Sequence, residues 1–315
     1  MTRLTVLDLA GLGGRAARDR LIRAALGVDL LTLGARAADR PGPWIAERLR
    51  GRRLAALSVS SGQGVLPGFA ETLAALAREL GLTAAAVPGA DEEGLRAAEA
   101  WGADWVILAD DDCFEVRDLA GRVLADNNPA TSRAFVAALE LLAGGGLAGR
   151  EVLVLGLGVI GRGAAARLLE LGAWPLMFDI DSAKGPAALA EAGGGEVVAG
   201  EDGLARILAG RTALIFEAVP RREIWPGKIR PPKKAPLKVA APGVPLSWPA
   251  AWLRPGGPAR LWHDALPSGL AAMLALAAVA QGEPWTHIRR TEGLDEMRRP
   301  RKETGSARKK NNGCV

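Results

Sequence analysis

The feature that most constrains the fold of this chain is a glycine-rich turn that directly follows a short apolar run. Residues 152–161 read VLVLGLGVIG, an apolar strand that enters a G-x-G-x-x-G turn and opens a helix. In this context the first glycine permits the tight turn, the second lets a pyrophosphate approach the backbone, and the third lets the helix pack close to the strand. The helix N-terminus offers free N–H groups to the phosphates. The pattern predicts a Rossmann dinucleotide-binding domain whose cofactor contacts include Gly156, Leu157, Gly158, Val159 and Ile160.

A carboxylate is expected at the end of the next strand of such a domain. Asp179 lies 23 positions after Gly156 and closes the apolar run at 176–178, whereas Asp181 is the less favoured alternative. A carboxylate there accepts hydrogen bonds from the ribose hydroxyls and repels a 2′-phosphate, so Asp179 predicts NAD rather than NADP. Three residues that follow later strands complete the predicted cofactor set: Ala218, Pro242 and Gly243.

The first half of the chain predicts an α/β domain of its own. Strand-like runs at 54–59, 82–87 and 105–109 alternate with helical periodicity at 67–80 and 91–101, where Asp91 is the expected N-cap. This β-α-β-α-β order is typical of a parallel sheet. Two further helices are predicted before it, at 2–10 and 15–26. The expected fold class is therefore α/β: a helical N-terminus and a small parallel α/β domain, followed by the Rossmann domain.

Composition and glycine content divide the 315 residues into three parts. The run of three glycines at 144–146 separates a substrate domain, 1–143, from an NAD-binding domain, 144–282. Nine basic and four acidic residues between Arg289 and Lys310 account for the whole net charge of +5, so residues 283–315 form a basic tail. A disordered, solvated tail is favoured over a contact to nucleic acid or lipid because it lacks apolar periodicity.

The remaining composition favours a soluble cytoplasmic protein. Two cysteines allow at most one disulfide, and no His or Cys pair has the spacing of a zinc site, so no metal is expected. Asp8 interrupts the only candidate signal sequence, and the longest apolar run, 270–280, is too short to span a bilayer. No nucleic-acid or membrane partner is expected, and the oligomeric state is left open.

Three polar clusters of the first domain are candidates for binding a substrate. Ligands of open α/β sheets collect beyond the carboxyl ends of the strands, and residues 60–64, 110–112 and 126–128 occupy such positions. Three consecutive aspartates after a strand indicate a cationic ligand such as an amine. Loops and helix caps use the same residue types, however, so this pattern alone leaves a purely structural role equally open.

The order of five segments resembles the PylD family of NAD-dependent enzymes of pyrrolysine biosynthesis. They are SSGQG at 60–64, LADDDCF at 108–114, ADNNP at 125–129, LGLG at 155–158 and APGVP at 241–245. The resemblance covers roughly residues 54–281. The glycine motif is generic, whereas the ADD-x-x-F and NN segments are much more specific. Departures from the family pattern at Gln63, Asp112 and Asp126 affect the expected substrate contacts but not the reaction class.

The resemblance implies a reaction and a set of site residues. The family transfers a hydride to NAD from the carbon that bears the terminal ornithine amine of L-lysine-Nε-3-methyl-D-ornithine, and the second ornithine amine closes the pyrroline ring with loss of ammonia. Asp110 would hold the ammonium and accept or relay its proton, with Asp111 as the alternative, and Asn127 would position the substrate. The implied contacts to this dipeptide-like small molecule are Leu4, Ser61, Gln63, Asp110, Asp111 and Asn127, with Asp110 and Asn127 the catalytic pair.

Two other functions remain open from the sequence. One is an NAD-dependent dehydrogenase of another small amino acid or imine built on the same two-domain plan. The other is a non-catalytic NAD sensor that binds a partner. The short helix at 2–10, which carries Leu4 and Leu7, is expected to order only against another part of the protein, and we expect it to close as a lid over the bound substrate.

Overall fold

The computed structural model describes residues 9, 14–60, 64–109, 113–210, 212–219, 236–244, 246, 248, 257 and 259–281. The elements of the first part are α1 Arg15–Leu26, α2 Leu30–Ala37, α3 Gly42–Leu49, β1 Arg53–Ser58, α4 Phe69–Glu79, β2 Thr83–Ala90, α5 Asp91–Trp101, β3 Trp105–Ala109, β4 Glu115–Asp118, β5 Val123–Asp126 and α6 Asn127–Ala143. Those of the second part are β6 Glu151–Leu155, α7 Val159–Glu170, β7 Trp174–Phe178, α8 Lys184–Ala192, β8 Glu196–Val197, α9 Gly200–Leu208, β9 Leu214–Glu217, β10 Leu237–Ala240, β11 Ala259–Trp262 and α10 Ala265–Ala280.

The first sheet has five strands in the order β2-β1-β3-β4-β5. Strands β2, β1 and β3 are parallel, as the alternation of strand and helix patterns predicts. The hairpin β4–β5 extends this sheet in the antiparallel direction, an addition that the sequence analysis did not predict. Each of its strands has only four residues, which is too short for a period-two pattern to stand out. The first sheet is therefore mixed, with a parallel core.

The second sheet has six parallel strands in the order β11-β10-β9-β6-β7-β8. Counted along the chain from β6, this is the order 3-2-1-4-5-6 of the Rossmann fold. The order reverses between β6 and β9, which pair with each other in the middle of the sheet. Dinucleotides bind at such a reversal, beyond the carboxyl ends of the strands. The predicted fold class is confirmed, and the reversal is placed directly at the glycine-rich turn.

Helices α2, α6 and α10 pack together beside the sheets. The last helix is apolar around its whole circumference, and its leucines at 270 and 274 are fully buried. A Cβ on Gly34 of α2 would lie 2.5 Å from the carbonyl oxygen of Ala271, so this glycine allows the two helices to approach closely. The helix α10 thus packs with helices of the first part although it follows the second sheet. The predicted domain boundaries at 143/144 and 282/283 stay predictions.

Most predicted elements agree with the structure, but the prediction that Asp91 caps α5 is wrong. The N-cap position belongs to Ala90, and Asp91 is the first helical residue, with a φ of +51° in the left-handed region. The carboxylate of Asp91 instead accepts a hydrogen bond from the N–H of Ser60 (2.9 Å) and contacts the hydroxyl of the same residue. Asp91 therefore anchors the segment that leaves β1. The predicted helix at 2–10 and the basic tail lie outside the described residues, apart from Leu9.

Candidate functional site

The glycine-rich turn between β6 and α7 excludes side chains at two of its three glycines. Gly156 has a φ of +85°, and a Cβ there would lie 3.0 Å from the carbonyl oxygen of Ala218. A Cβ on Gly161 would lie 1.8 Å from the carbonyl oxygen of Gly156. Around Gly158, in contrast, nothing lies within 4 Å of where a Cβ would stand. Two glycines therefore shape the turn, and the third faces the open space that a pyrophosphate would need.

The first turn of α7 begins at this open space. Gly158 is the N-cap, and no side chain caps the helix there. The first N–H groups of a helix have no partner inside the helix, and the helix dipole adds partial positive charge at this end. Val159 and Ile160, which the sequence predicts as cofactor contacts, lie in this turn. The turn is suited to an anionic diphosphate.

Asp179 holds the glycine-rich turn at the end of β7. Its side chain is only 7% exposed, and its two carboxylate oxygens accept the N–H groups of Leu157 (2.8 Å) and Asp181 (2.9 Å). The Nζ atom of Lys184 lies 3.4 Å from both oxygens. Asp181 instead accepts the N–H of Ala183 in the following turn (3.1 Å). The structure thus places Asp179, rather than Asp181, against the turn.

The ends of β9 and β10 lie on the other side of the turn. The N–H of Ala218 donates to the carbonyl of Leu155 at 2.8 Å. A Cβ on Gly243 would lie 2.5 Å from the carbonyl oxygen of Val219, so the segment after β10 passes close to the segment after β9. Pro242 is buried in the same segment. The structure brings Ala218, Pro242 and Gly243 to the same edge of the sheet as the glycine-rich turn, while their contact with a cofactor stays a prediction.

The helices α6 and α7 are joined near their N-termini. The hydroxyl of Ser132 lies 2.8 Å from the carbonyl oxygen of Ile160 and 3.0 Å from that of Asn128. A Cβ on Gly163 would lie 2.7 Å from the same hydroxyl oxygen, so only glycine allows this approach. The sequence analysis missed Ser132 and Gly163 because the contact joins two helices that are separate in the sequence. This contact fixes the N-terminal part of α6, which carries Asn127, against α7, which begins at the glycine-rich turn.

Asn127 begins α6 and is buried. Its Oδ1 accepts the hydroxyl of Thr131 at 3.0 Å, and its backbone N–H donates to the carbonyl of Phe114 at 2.9 Å. Asp126 precedes it as the N-cap and accepts the N–H of Asn128 at 2.6 Å. Asn127 is thus held at the junction of α6 and the hairpin, where its predicted role in positioning a substrate stays a prediction.

Two carboxyl groups with raised pKa values lie beside this junction. Glu115 and Asp126 stand opposite each other in the hairpin β4–β5. Burial raises the pKa of Glu115, although Arg117 beside it acts in the other direction. Burial also raises the pKa of Asp126, and the hydrogen bond from Asn128 opposes the shift. A cation bound nearby would favour the ionised form of both groups.

Five predicted substrate contacts lie outside the described residues: Leu4, Ser61, Gln63, Asp110 and Asp111. The strands that lead to the two clusters at 60–64 and 110–112 are neighbours, since β1 and β3 are parallel and pair Ser58 with Ala109. The carboxyl ends of these strands therefore lie at one edge of the first sheet. The roles of the five residues stay predictions.

Asp264 is a titratable group that the sequence analysis missed. It lies between β11 and α10, and its Oδ2 is shielded from solvent without a hydrogen-bond partner among the described residues. Burial raises the pKa of Asp264 to about 6, and the positive charge of Arg18 opposes the shift. An aspartate before a helix usually indicates an N-cap, but this side chain forms no capping hydrogen bond. No pattern in the sequence signals its burial.

Metal-binding clusters and membrane-spanning helices are absent from the part of the chain that the structure describes. There, no group of three or more His, Cys, Asp and Glu side chains is arranged to hold a metal ion. Within the same residues, no helix combines the length and the apolar character that a membrane span requires.

A family model and two curated relatives that match the chain all concern pyrrolysine biosynthesis. Residues 21–122 match the family model described as the N-terminal domain of the pyrrolysine biosynthesis protein PylD. The chain is 27% identical over 191 residues to the pyrrolysine synthase of Methanosarcina acetivorans, a match that covers 60% of this chain and 68% of that protein. It is 30% identical over 114 residues to the pyrrolysine synthase of Methanosarcina barkeri, covering 36% and 42% of the two chains.

Solved structures of dehydrogenases show a weaker likeness. Quinate dehydrogenase from Corynebacterium glutamicum in complex with NAD has a TM-score of 0.46 at 16% identity, covering 72% of this chain and 94% of that one. Shikimate 5-dehydrogenase from Thermus thermophilus has a TM-score of 0.43 at 16% identity, covering 75% and 94%. Both scores lie below 0.5, and the fold follows instead from the strand order of the chain itself.

Proposed function

We propose that the chain is a member of the PylD family, which it resembles in part of its sequence, and that it is an NAD-dependent oxidoreductase of pyrrolysine biosynthesis. Its substrate is L-lysine-Nε-3-methyl-D-ornithine, whose terminal ornithine amine is oxidised. The observation that carries the proposal is the strand–turn–helix unit at the reversal of a Rossmann sheet, with open space at Gly158 and a carboxylate at Asp179. The buried start of α6 is joined to the same unit through the contact of Ser132 with Ile160.

The residues around the turn fit a dinucleotide with an unphosphorylated ribose. The first-turn N–H groups of α7 would bind the pyrophosphate, and Gly158 leaves room for it. Asp179 has two oxygens that each accept one backbone N–H, and each oxygen has a second lone pair that a ribose hydroxyl could use. Its negative charge disfavours a 2′-phosphate, which supports NAD. When bound, NAD supplies the hydride acceptor.

The protein must hold a cation and remove its proton, because an ammonium nitrogen has no lone pair with which to expel a hydride from the adjacent carbon. In the balanced reaction the substrate loses one hydride and one proton. Its terminal nitrogen leaves as ammonia, and the second ornithine amine forms the C=N bond of the ring. Asp110 remains the proposed partner of the ammonium, with Asp111 as the alternative. Asn127 would position the chain through its amide, because a neutral amide does not take up a proton near pH 7.

The direct test is to incubate the purified protein with the lysine–methylornithine dipeptide and NAD. We expect NADH absorbance to rise and mass spectrometry to show a product lighter by one ammonia and two hydrogens. Parallel incubations with free lysine and free ornithine should form little NADH. A protein that binds NAD but converts none of the dipeptide would refute the proposal.

The variant Asn127→Ala distinguishes a role in positioning the substrate from a role in proton transfer. Asn127→Ala should mainly raise KM for the dipeptide, because a neutral positioning contact contributes to binding rather than to proton transfer. Thr131, whose hydroxyl donates to Asn127, offers the matched control Thr131→Val, which removes that donor but leaves the amide in place. A large fall in kcat with an unchanged KM in Asn127→Ala would contradict the assigned role.

A further inference from the structure

Asp264 follows β11, whose end is tied to the segment that carries two of the proposed cofactor residues. Strands β10 and β11 pair Ala240 with Trp262, and the N–H of Ala241 donates to the carbonyl of Trp262 at 2.9 Å. The ring Nδ1 of His263 lies 2.7 Å from the carbonyl oxygen of Ala241. The segment that carries Asp264 is therefore fixed to the segment that carries Pro242 and Gly243.

The helix that Asp264 precedes packs against the start of α6. A Cβ on Gly269 of α10 would lie 2.9 Å from the hydroxyl oxygen of Thr131 and 3.2 Å from Oδ1 of Asn127. No larger residue fits at this crossing without displacing these side chains. The N-terminal parts of α10 and α6 thus meet at the proposed substrate-positioning amide, and Asp264 stands at the start of the helix that makes this crossing.

The charged groups near Asp264 give little stabilisation to the negative charge of its carboxylate. The positive charge of Arg18 of α1 lowers the pKa of Asp264, and the guanidinium of Arg18 also donates to Glu79 of α4 at 2.6 Å. The hairpin strands β4 and β5, which α10 also contacts, carry the acids Glu115 and Asp126. Among the described residues the Oδ2 atom of Asp264 has no hydrogen-bond donor. A buried carboxylate in this setting would be stabilised by a cationic ligand.

We propose that Asp264 is a further proton-accepting residue of the site, which takes the proton that the substrate ammonium loses before hydride transfer. This assignment rests on the proposed function. In the step, an N–H bond of the ammonium breaks and leaves its electron pair on nitrogen, while an O–H bond forms on the carboxylate. The hydride then leaves the adjacent carbon for NAD, and Asp264 later returns its proton to water.

The chemistry favours this residue over an ordinary surface acid. A general base is most effective when its pKa lies near the working pH, and burial moves the pKa of Asp264 to about 6. A free alkylammonium group has a pKa of about 10.4. Desolvation lowers the pKa of an amine and raises that of a carboxyl group. Exclusion of water from the site therefore brings the pKa values of the substrate ammonium and Asp264 closer together.

The test compares the wild type with the isosteric variant Asp264→Asn. We expect kcat/KM for the dipeptide in the wild type to fall on the acidic side with an apparent pKa of about 6. The variant should lose this pH dependence and about 10²–10⁴-fold of the rate. Titration calorimetry without cofactor should show that the variant loses dipeptide affinity relative to the wild type at pH 8 but not at pH 5. Asp264→Glu, which keeps a carboxylate, should recover part of the rate.

Asp29→Asn is the matched control, because Asp29 caps α2 through the N–H of Thr32 and lies outside the proposed site. It should keep the wild-type pH profile. An Asp264→Asn enzyme with the wild-type rate and acidic limb would overturn the assignment while leaving the proposed function intact. A wild-type protein that binds NAD but forms no NADH from the dipeptide would overturn both.

Discussion

Replacing Asp264 with Asn should stabilise the folded protein at neutral and alkaline pH. An unperturbed aspartate has a pKa of 3.8, and burial raises the pKa of this residue to about 6 in the folded state. Below the unfolded pKa both states carry a proton, so the residue adds no pH-dependent contribution. Between the two pKa values the unfolded state releases its proton first, so the free energy of unfolding falls as pH rises. The shift corresponds to a loss of about 3 kcal/mol, complete once the pH exceeds the folded pKa.

Urea unfolding of the wild type and Asp264→Asn at several pH values from about 4 to about 8 measures this contribution. The difference between the two free energies of unfolding should grow by about 2 kcal/mol over that range, in favour of the variant, because the unfolded state is already partly ionised at pH 4. The pH dependence of this difference is diagnostic. Asn does not titrate, so its substitution for a protonated Asp changes the free energy of unfolding by the same amount at every pH. A difference that is independent of pH, or that grows in favour of the wild type, would refute the reasoning.

Asp29→Asn is a control for which the change in the free energy of unfolding should have the opposite sign. Burial alone would raise its pKa, but the hydrogen bonds from Thr32 and the charge of Arg23 outweigh burial and lower it. A lowered pKa stabilises the folded state above the unfolded pKa, and this contribution is lost on acidification. Asp29→Asn should therefore be less stable than the wild type at neutral pH, and urea unfolding should show the difference shrinking as the pH falls below the unfolded pKa.

Two further predictions concern the dinucleotide site. Gly158→Ala should leave the melting temperature of the cofactor-free protein unchanged but weaken NAD binding, whereas Gly161→Ala should lower that melting temperature, because its Cβ would meet a carbonyl oxygen at 1.8 Å. Thermal scans with and without NAD distinguish the pair, and equal melting temperatures of the two variants would contradict it. Asp179→Ser should weaken NAD binding and relax discrimination against NADP, because Lys184 loses its anionic partner. Equal affinity of the wild type for both cofactors, measured by fluorescence titration, would contradict this assignment.

The dinucleotide-binding unit could be predicted from the sequence because its requirements are local. The apolar strand, the three glycines and the start of the helix follow one another without interruption, and Asp179 ends the next strand. The turn needs a positive φ at one glycine and the absence of a Cβ at another, and only particular residue types satisfy these conditions. A pattern of this kind can be recognised without any knowledge of distant parts of the chain.

The environment of individual polar side chains depended on tertiary structure. Asp91 and Asp264 both precede or begin a helix, and each is equally well explained as a cap from the sequence. In the structure Asp91 anchors the segment after β1, and Asp264 is half-buried, with its Oδ2 shielded from solvent and without a donor among the described residues. Desolvation and hydrogen bonding come from elements far away in the sequence, so no local pattern reports them.

The packing of the helices was also decided only in three dimensions. The apolar pattern of α10 shows that the helix is buried, but not that α2 and α6 bury it, since this pattern has no polar face from which to infer an orientation. Gly34 and Gly269 admit the close approaches between these helices, and Gly163 admits that of α7 to α6, although each is an ordinary helical glycine in the sequence. Sequence determines which segments form elements, because backbone preference and apolar period are local properties. Tertiary structure decides which surfaces meet, because steric fit depends on both partners at once.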